Sequence, residues 1–449
     1  MCMRLFGTDG VRGKANKYPI TAEIALKLGK AAAIVLRNTE NRKPVFLIGK
    51  DTRLSGYMLE FALTSGLTSM GADVYLVGPV PTPAVAHLTR SFACDAGIMI
   101  SASHNPADDN GIKFFNFEGF KLPDEVEDKI EKLVFTDLST DHVTSKEIGR
   151  AYRIEDAGAR YIEFAKGTIN NMSLKGIKLV LDCANGAAYK VAPLIFRELG
   201  AEVVLIGNLP DGHNINKECG ALYLDTLTAE VKKTKADCGI ALDGDADRVI
   251  MVDETGKTID GDHIIAIAAL TGLARNRLNK KTVVVTEYTN LAFDALIKEN
   301  GGKVVRTKNG DRYVIEEMVR GKYNLGGEFS GHIIFSDYNS TGDGTIAALQ
   351  VLRIMKEQGK KLSILCSVLE KYPQITVNVK VKEKRPLETI PKIAAEIKAA
   401  EKKLGKEGRY IVRYSGTEML CRVTIEGKDL KKITEIAERI ASEIRNELS

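Results

Sequence analysis

The chain has 449 residues, 44% of them hydrophobic, and a net charge of +5 from 64 basic and 59 acidic side chains, which is material for several cores, about three at roughly 150 residues per domain. The basic clusters at residues 380–385 and at Lys402 and Lys403 have no aromatic platform between them and tryptophan is absent, so no nucleic-acid partner is expected. Seven scattered cysteines form no C-x-x-C pair and the longest apolar run, residues 264–274, is too short to span a bilayer, so a reducing, cytoplasmic setting with no membrane partner is expected.

Short β-branched runs alternate with turns and amphipathic helical segments along most of the chain, which predicts parallel sheets with helical crossovers. The first region offers strands at residues 45–48, 73–77 and 96–100, with helical periodicity over 57–70. The second offers strands at 177–181, 202–206 and 238–242, and the third at 282–286, 303–306 and 325–335. After about Tyr372 the pattern changes to a strand at 375–381, a charged helix at 387–404, two strands flanking 413–417 and a final amphipathic helix. The expected fold is therefore α/β, with three consecutive βαβ-type parallel-sheet domains (1–154, 155–254, 255–368) followed by a small α+β C-terminal domain (369–449). In each of the first three a late strand runs into a polar loop, at 101–106, 243–248 and 326–332. Ligands of open α/β sheets sit beyond the carboxyl ends of the strands, so these loops are expected to enclose one site.

Asp243-Gly244-Asp245-Ala246-Asp247 places a carboxylate at every second position, and on an extended segment all three point to one side. Like charges about 4 Å apart cost on the order of 4 kcal/mol per pair near a protein surface, so a cation is the natural compensation. Hard oxygen ligands suit Mg2+, with a solvated acidic turn as the plain alternative. A calcium loop is disfavoured because Arg248 stands at its sixth position, where glycine is needed, although Glu254 fits the twelfth. Ser101-Ala102-Ser103-His104-Asn105-Pro106 follows a strand that Pro106 cannot continue, which offers either a serine nucleophile or an ordinary hydroxyl turn. Gly7-Thr8-Asp9-Gly10-Val11-Arg12-Gly13 allows close approach of backbone to an anion, or is a plain turn. Arg413-Tyr414-Ser415-Gly416-Thr417 with Arg422 could cradle a phosphate, or form a charged hairpin. Gly326-Gly327-Glu328-Phe329-Ser330-Gly331-His332 suits hydrogen bonding to sugar hydroxyls, or a bulged strand.

These five signals, in the order in which the chain carries them, resemble the α-D-phosphohexomutase superfamily over essentially the whole chain. Phe6 through Gly13, Asp182-Cys183-Ala184-Asn185-Gly186-Ala187-Ala188 and Asn214-Ile215-Asn216-Lys217-Glu218-Cys219-Gly220 are most similar to its branch acting on amino-sugar phosphates. The resemblance implies an isomerase that interconverts glucosamine 6-phosphate and glucosamine 1-phosphate through a phosphoserine and a hexosamine 1,6-bisphosphate, toward UDP-N-acetylglucosamine precursors. A phosphoglucomutase or phosphomannomutase of broad specificity is the alternative. By the same resemblance Ser103 carries the phosphoryl group, and Ser103, Asp243, Asp245 and Asp247 hold one Mg2+. Arg12, His104 and Lys113 are implied as positive groups at the reacting phosphate, and Lys113, made partly neutral by crowding, or Arg12 as the group that moves the proton. Arg248, Glu328, Ser330 and His332 are implied to contact the sugar phosphate, and Arg413, Ser415, Gly416, Thr417 and Arg422 to clamp the idle phosphate. A homodimer is compatible with all of this.

Overall fold

A helix between two β-branched runs returns the chain to the same edge of a sheet, so the strands it joins align in parallel. The computed structural model, which describes residues 5–7, 9–37, 42–138, 142–405, 407–415 and 419–448, follows this rule in three successive sheets and departs from it at their edges. The first sheet contains β1 (Val11–Lys14), β2 (Val45–Lys50), β3 (Asp73–Pro79), β4 (Ala96–Ile100), β5 (Asp109–Asn116) and β6 (Ala151–Arg153), in the order β1-β5-β4-β2-β3-β6. Strands β4, β2, β3 and β6 are parallel; β5 runs antiparallel to β4 and to β1. The second sheet contains β7 (Lys178–Asp182), β8 (Glu202–Ile206), β9 (Cys238–Leu242), β10 (Val249–Asp253) and β11 (Thr258–Ile259), in the order β11-β10-β9-β7-β8. Here β7, β8 and β9 are parallel, and β10 and β11 are antiparallel additions. The third contains β12 (Thr282–Thr286), β13 (Lys303–Thr307), β14 (Leu325–Gly327) and β15 (Ile333–Phe335), with only the β14–β15 pair antiparallel.

The sheets are thus mixed, where the sequence pattern predicted parallel ones. The predicted strand at 325–335 is a hairpin. Its chain reverses at Glu328 to Gly331, where the Glu328 N–H bonds to the His332 carbonyl and the Gly331 N–H to the Glu328 carbonyl, at 2.9 and 3.0 Å. Strands β2, β4 and β9 are buried over nearly their whole lengths, as expected for strands covered on both faces.

Two compact units result, Met1–Tyr288 with Gly302–Ser367, and Thr289–Gly301 with Val368–Ser449. All three mixed sheets lie in the first. The second is built on β16 (Gln374–Lys380), β17 (Gly408–Tyr414) and β18 (Leu420–Gly427), an antiparallel sheet in the order β16-β18-β17. Helices Pro391–Leu404 and Leu430–Leu448 bury Ile393, Ile436, Ile440 and Ile444 with Val423 and Ile425 of the sheet. The predicted helix 387–404 starts late, as a single turn at Leu387–Thr389 followed by Pro391, because proline fits a helix only in its first turn. Segment Thr289–Gly301 joins this unit through Asn290, whose side chain exchanges two 3.0 Å bonds with the Tyr372 backbone, and through Arg409, which pairs with Glu426 and donates to the Thr289 carbonyl. Among the described residues no helix is long and apolar enough to cross a membrane.

Candidate active site

The three polar loops predicted to meet do so within the first unit, each at the end of a strand. Beyond β4 the chain turns at Ser103, whose φ of 52° is left-handed, a strained conformation for a residue with a Cβ. The turn is held from inside. The Ser103 N–H donates to Ser101 Oγ at 2.9 Å, and its carbonyl accepts from Asn216 Nδ2 at 2.9 Å and from Arg53 Nη2 at 3.3 Å. Arg53, wholly buried and paired with the equally buried Asp51, also donates to the Asn105 carbonyl at 2.6 Å. The hydroxyl is thereby fixed against the second loop, and Ser103 Oγ donates to Asp243 Oδ2 at 2.6 Å.

That second loop follows β9. It is not the extended segment inferred from alternation: Ala246 has φ 57° and its N–H bonds back to the Asp243 carbonyl at 3.0 Å, so a turn gathers the carboxylates. One ligand oxygen from each of Asp243, Asp245 and Asp247 lies within 4.8 Å of the others, and all three residues are buried. Gly244 lets the loops approach, since a Cβ there would stand 2.5 Å from the Ser103 carbonyl oxygen. Burial, with Asp247 and Asp245 beside it, pushes the Asp243 carboxyl well above the usual carboxylate range. Asp245 Oδ1 and Asp247 Oδ1 are buried without a hydrogen-bond partner. Crowded hard oxygens with unused lone pairs fit a small divalent cation such as Mg2+.

Cations reach the carboxylates of this loop from β1 and β5. Gly10 starts this approach with φ 78°, and a Cβ on it would meet the Ile112 carbonyl oxygen at 2.3 Å. Arg12 on β1 pairs with Asp9, and Lys113 on β5 lies 2.8 Å from Asp245 Oδ2, 3.3 Å from Asp9 Oδ2 and 3.7 Å from Asp247 Oδ2. Burial disfavours the Lys113 charge, but these carboxylates outweigh it and hold the pKa above the ordinary lysine value, opposite to the partial neutrality expected from the sequence. His104, expected to be positive, is neutral: burial, then Arg248 and Arg12, lower its pKa to about 4. Its Nδ1 stands 3.3 Å from Ser103 Oγ.

The third loop closes the wall. Arg248 bridges to His332 in backbone register, Glu328 Oε1 accepts from the Gly310 N–H at 3.1 Å, and Ser330 Oγ donates to Glu328 Oε2 at 3.0 Å. His332 Nδ1 faces Asp247 at 3.7 Å, while Nε2 accepts from the Gly342 N–H at 3.1 Å. A cavity of about 880 Å3 opens here, lined by Arg12, Asp247, Arg248, Asp311, Glu328 and His332 among others. It has the size and polarity for a sugar carrying phosphates. In the second unit Arg413 and Arg422 are cross-strand partners on β17 and β18, which sets two guanidinium groups on neighbouring strands. Ser415 is buried beside them and its carbonyl accepts from Lys384 Nζ at 2.6 Å. Gly416 and Thr417 lie outside the described residues. Asp9, Arg53, Asp51, Lys121, Asn216 and Asp311 were missed as site residues; Asp9 and Asn216 fall inside quoted motifs, but nothing local marks the others.

The phosphoglucomutase/phosphomannomutase alpha/beta/alpha domains I, II and III match residues 3–141, 159–256 and 260–372, and the C-terminal domain of the same family matches 377–443. A phosphoglucosamine mutase from Pelobacter propionicus is 56% identical over 447 residues, 99% of each chain. One from Myxococcus xanthus is 55% identical over 99% of this chain and 98% of its own. A phosphoglucomutase/phosphomannomutase family protein from Burkholderia thailandensis shares the fold at a TM-score of 0.82 and 24% identity, covering 99% of this chain and 97% of its own. N-acetylphosphoglucosamine mutase from Aspergillus fumigatus, solved with GlcNAc-6P and magnesium, aligns at a TM-score of 0.66 and 20% identity, covering 98% and 95%. With all four domains present in order, and with relatives this similar along nearly its full length, the chain belongs to the phosphoglucomutase/phosphomannomutase family.

Proposed function

We propose that this chain is a phosphoglucosamine mutase, interconverting glucosamine 6-phosphate and glucosamine 1-phosphate through phosphoserine 103 and a 1,6-bisphosphate. The observation that carries the reading is Ser103 Oγ held 2.6 Å from Asp243 at the edge of a three-carboxylate cradle. Full-length curated relatives of this name, at 53–56% identity, support the amino sugar as substrate.

In the proposed cycle a free sugar hydroxyl attacks the phosphoryl group on Ser103. The oxygen–phosphorus bond to Ser103 breaks as the bond to the sugar forms, and the proton lost by the hydroxyl ends on Ser103 Oγ, which is placed to donate it to Asp243. The bisphosphate then turns over, and its other phosphate returns to Ser103. Arg12 and Lys113, both charged, stabilise the transferring group. Neutral His104 serves as a hydrogen-bond partner of the serine oxygen. Asp243, Asp245 and Asp247, with an oxygen on Ser103, would hold Mg2+, which supplies further positive charge at the phosphoryl oxygens. Arg248, Glu328, Ser330 and His332 orient the sugar phosphate, and Arg413, Ser415, Gly416, Thr417 and Arg422 hold the idle phosphate.

The domain limits belong to the same reading. β6 closing the first sheet at Arg153 supports a first boundary near 154, whereas β11 pairs with β10 and carries the second domain past 254 to about residue 260. A cytoplasmic location is supported by six described cysteines that are all buried and free. We include a homodimer, which light scattering tests. Rates on glucosamine, glucose and mannose 6-phosphates test the function. Fastest turnover of the amino sugar is expected; equal rates favour the broad-specificity alternative, and inorganic phosphate as the main product rejects a mutase.

A further inference from the structure

We propose that Lys121 is a positioning residue for phosphoryl transfer: it neutralises Asp9 from the far side, so that Arg12 and Lys113 remain available to the reacting phosphate. The proposal rests on the mutase reading above and adds to it a residue outside the serine, the metal cradle and the sugar loop. Lys121 follows the turn after β5, its backbone bridged to Phe115. Its side chain is 9% exposed, and its ammonium pairs with Asp9 Oδ1 and with Asp311 Oδ2. Asp9 uses its other oxygen, Oδ2, for Arg12 and for Lys113, and Lys113 continues to Asp245. Alternating charges therefore run from Asp311 on the cavity wall through Lys121, Asp9 and Lys113 into the cradle.

Setting five charged groups in a row, Lys113 and Asp245 buried and the other three half-buried, is a poor way to gain stability, since apolar side chains of similar volume generally do as well. It is an effective way to fix geometry. Without Lys121, Asp9 would satisfy both oxygens with Arg12 and Lys113 and draw them off the phosphate. Asp311, deprived of the same partner, would keep His332, whose Nε2 stands 3.4 Å away, so the loss is concentrated at Asp9. The effect falls on the transfer step more than on sugar binding.

The experiment uses full-length, Mg2+-loaded, Ser103-phosphorylated protein and the variants Lys121→Met and Lys121→Arg. We expect Lys121→Met to lower kcat at least tenfold with KM changed less than threefold, and Lys121→Arg to recover most of the loss. A crystal structure of Lys121→Met should show Arg12 or Lys113 moved onto Asp9 Oδ1, a readout independent of turnover. A kcat within twofold of the parent, or an unmoved Asp9, Arg12 and Lys113, would overturn the proposal. So would equal losses in both variants accompanied by equal drops in melting temperature. The sugar assignment is judged separately, by the parent's relative rates on glucosamine and glucose 6-phosphates; the variant-to-parent ratio holds on whichever of them is turned over.

Discussion

Replacing Arg53 with methionine should destabilise the first unit and slow turnover, although Arg53 touches neither substrate nor metal ligand side chains. Arg53 and Asp51 are both 0% exposed at their side chains, and the guanidinium also caps the Ser103 and Asn105 carbonyls. Burial raises the Asp51 carboxyl pKa even with Arg53 pulling against it, so without the cation the buried carboxyl must either hold an unpaired charge or take up a proton. Breaking one partner of such a pair costs about 3–5 kcal/mol. The double variant Asp51→Asn/Arg53→Met leaves no stranded charge, and Asn216 Nδ2 still donates to both carbonyls at 2.9 and 3.0 Å, so it should cost only about 1–2 kcal/mol. Urea unfolding gives the three stabilities, and turnover by the single variant should fall about tenfold as the strained Ser103 turn loosens. A single variant that loses less than about 1 kcal/mol, or a double variant no better than the single, would refute this account of the turn.

Other consequences follow from the same contacts. Gly244→Ala should cost at least tenfold in turnover, because its Cβ would press on the Ser103 carbonyl; steady-state rates of a folded variant check this. Asp245→Asn should weaken Mg2+ binding, seen by calorimetry, and excess chelator should stop the parent enzyme until Mg2+ is restored. Asp343 caps helix Gly344–Gln358 and accepts from Tyr161 Oη and Asn339 Nδ2, and burial pushes its pKa from 3.8 up to about 6. A raised carboxyl pKa gives a contribution to stability that is full below about pH 3.8 and lost as pH rises through about 6, on the order of 3 kcal/mol in all. Asp343→Asn should flatten that part of the melting-temperature profile; an unchanged slope would remove Asp343 as its source.

The parallel strands were legible because their β-branched runs and the helices between them are local signals. Strand direction at the sheet edges was not: β5 and β10 follow polar loops rather than helices, and nothing in a five-residue run says which way it pairs. The three loops were found because Pro106, the spaced aspartates and the glycines around Glu328 each interrupt a strand. Their fine geometry depends on tertiary contact. Ala246 turns left-handed because its loop is clamped between Ser103 and the backbone around Gly344, whose N–H takes the Ala246 carbonyl at 3.0 Å. Lys121 meets Asp311 across 190 positions, and Arg53 meets the Ser103 turn across 50. The neutral His104 and charged Lys113 reverse expectations because burial and neighbouring charges, not residue type, set their protonation.

The most direct test begins with enzyme whose Ser103 carries a radiolabelled phosphoryl group, mixed with unlabelled glucosamine 6-phosphate in a single turnover. Label passing from the protein into glucosamine 1,6-bisphosphate and on into glucosamine 1-phosphate, and absent when Ser103→Ala enzyme is prepared the same way, is the predicted result. Label that remains on the protein, or emerges only as inorganic phosphate, would contradict a serine that relays phosphoryl groups between the two ends of a sugar.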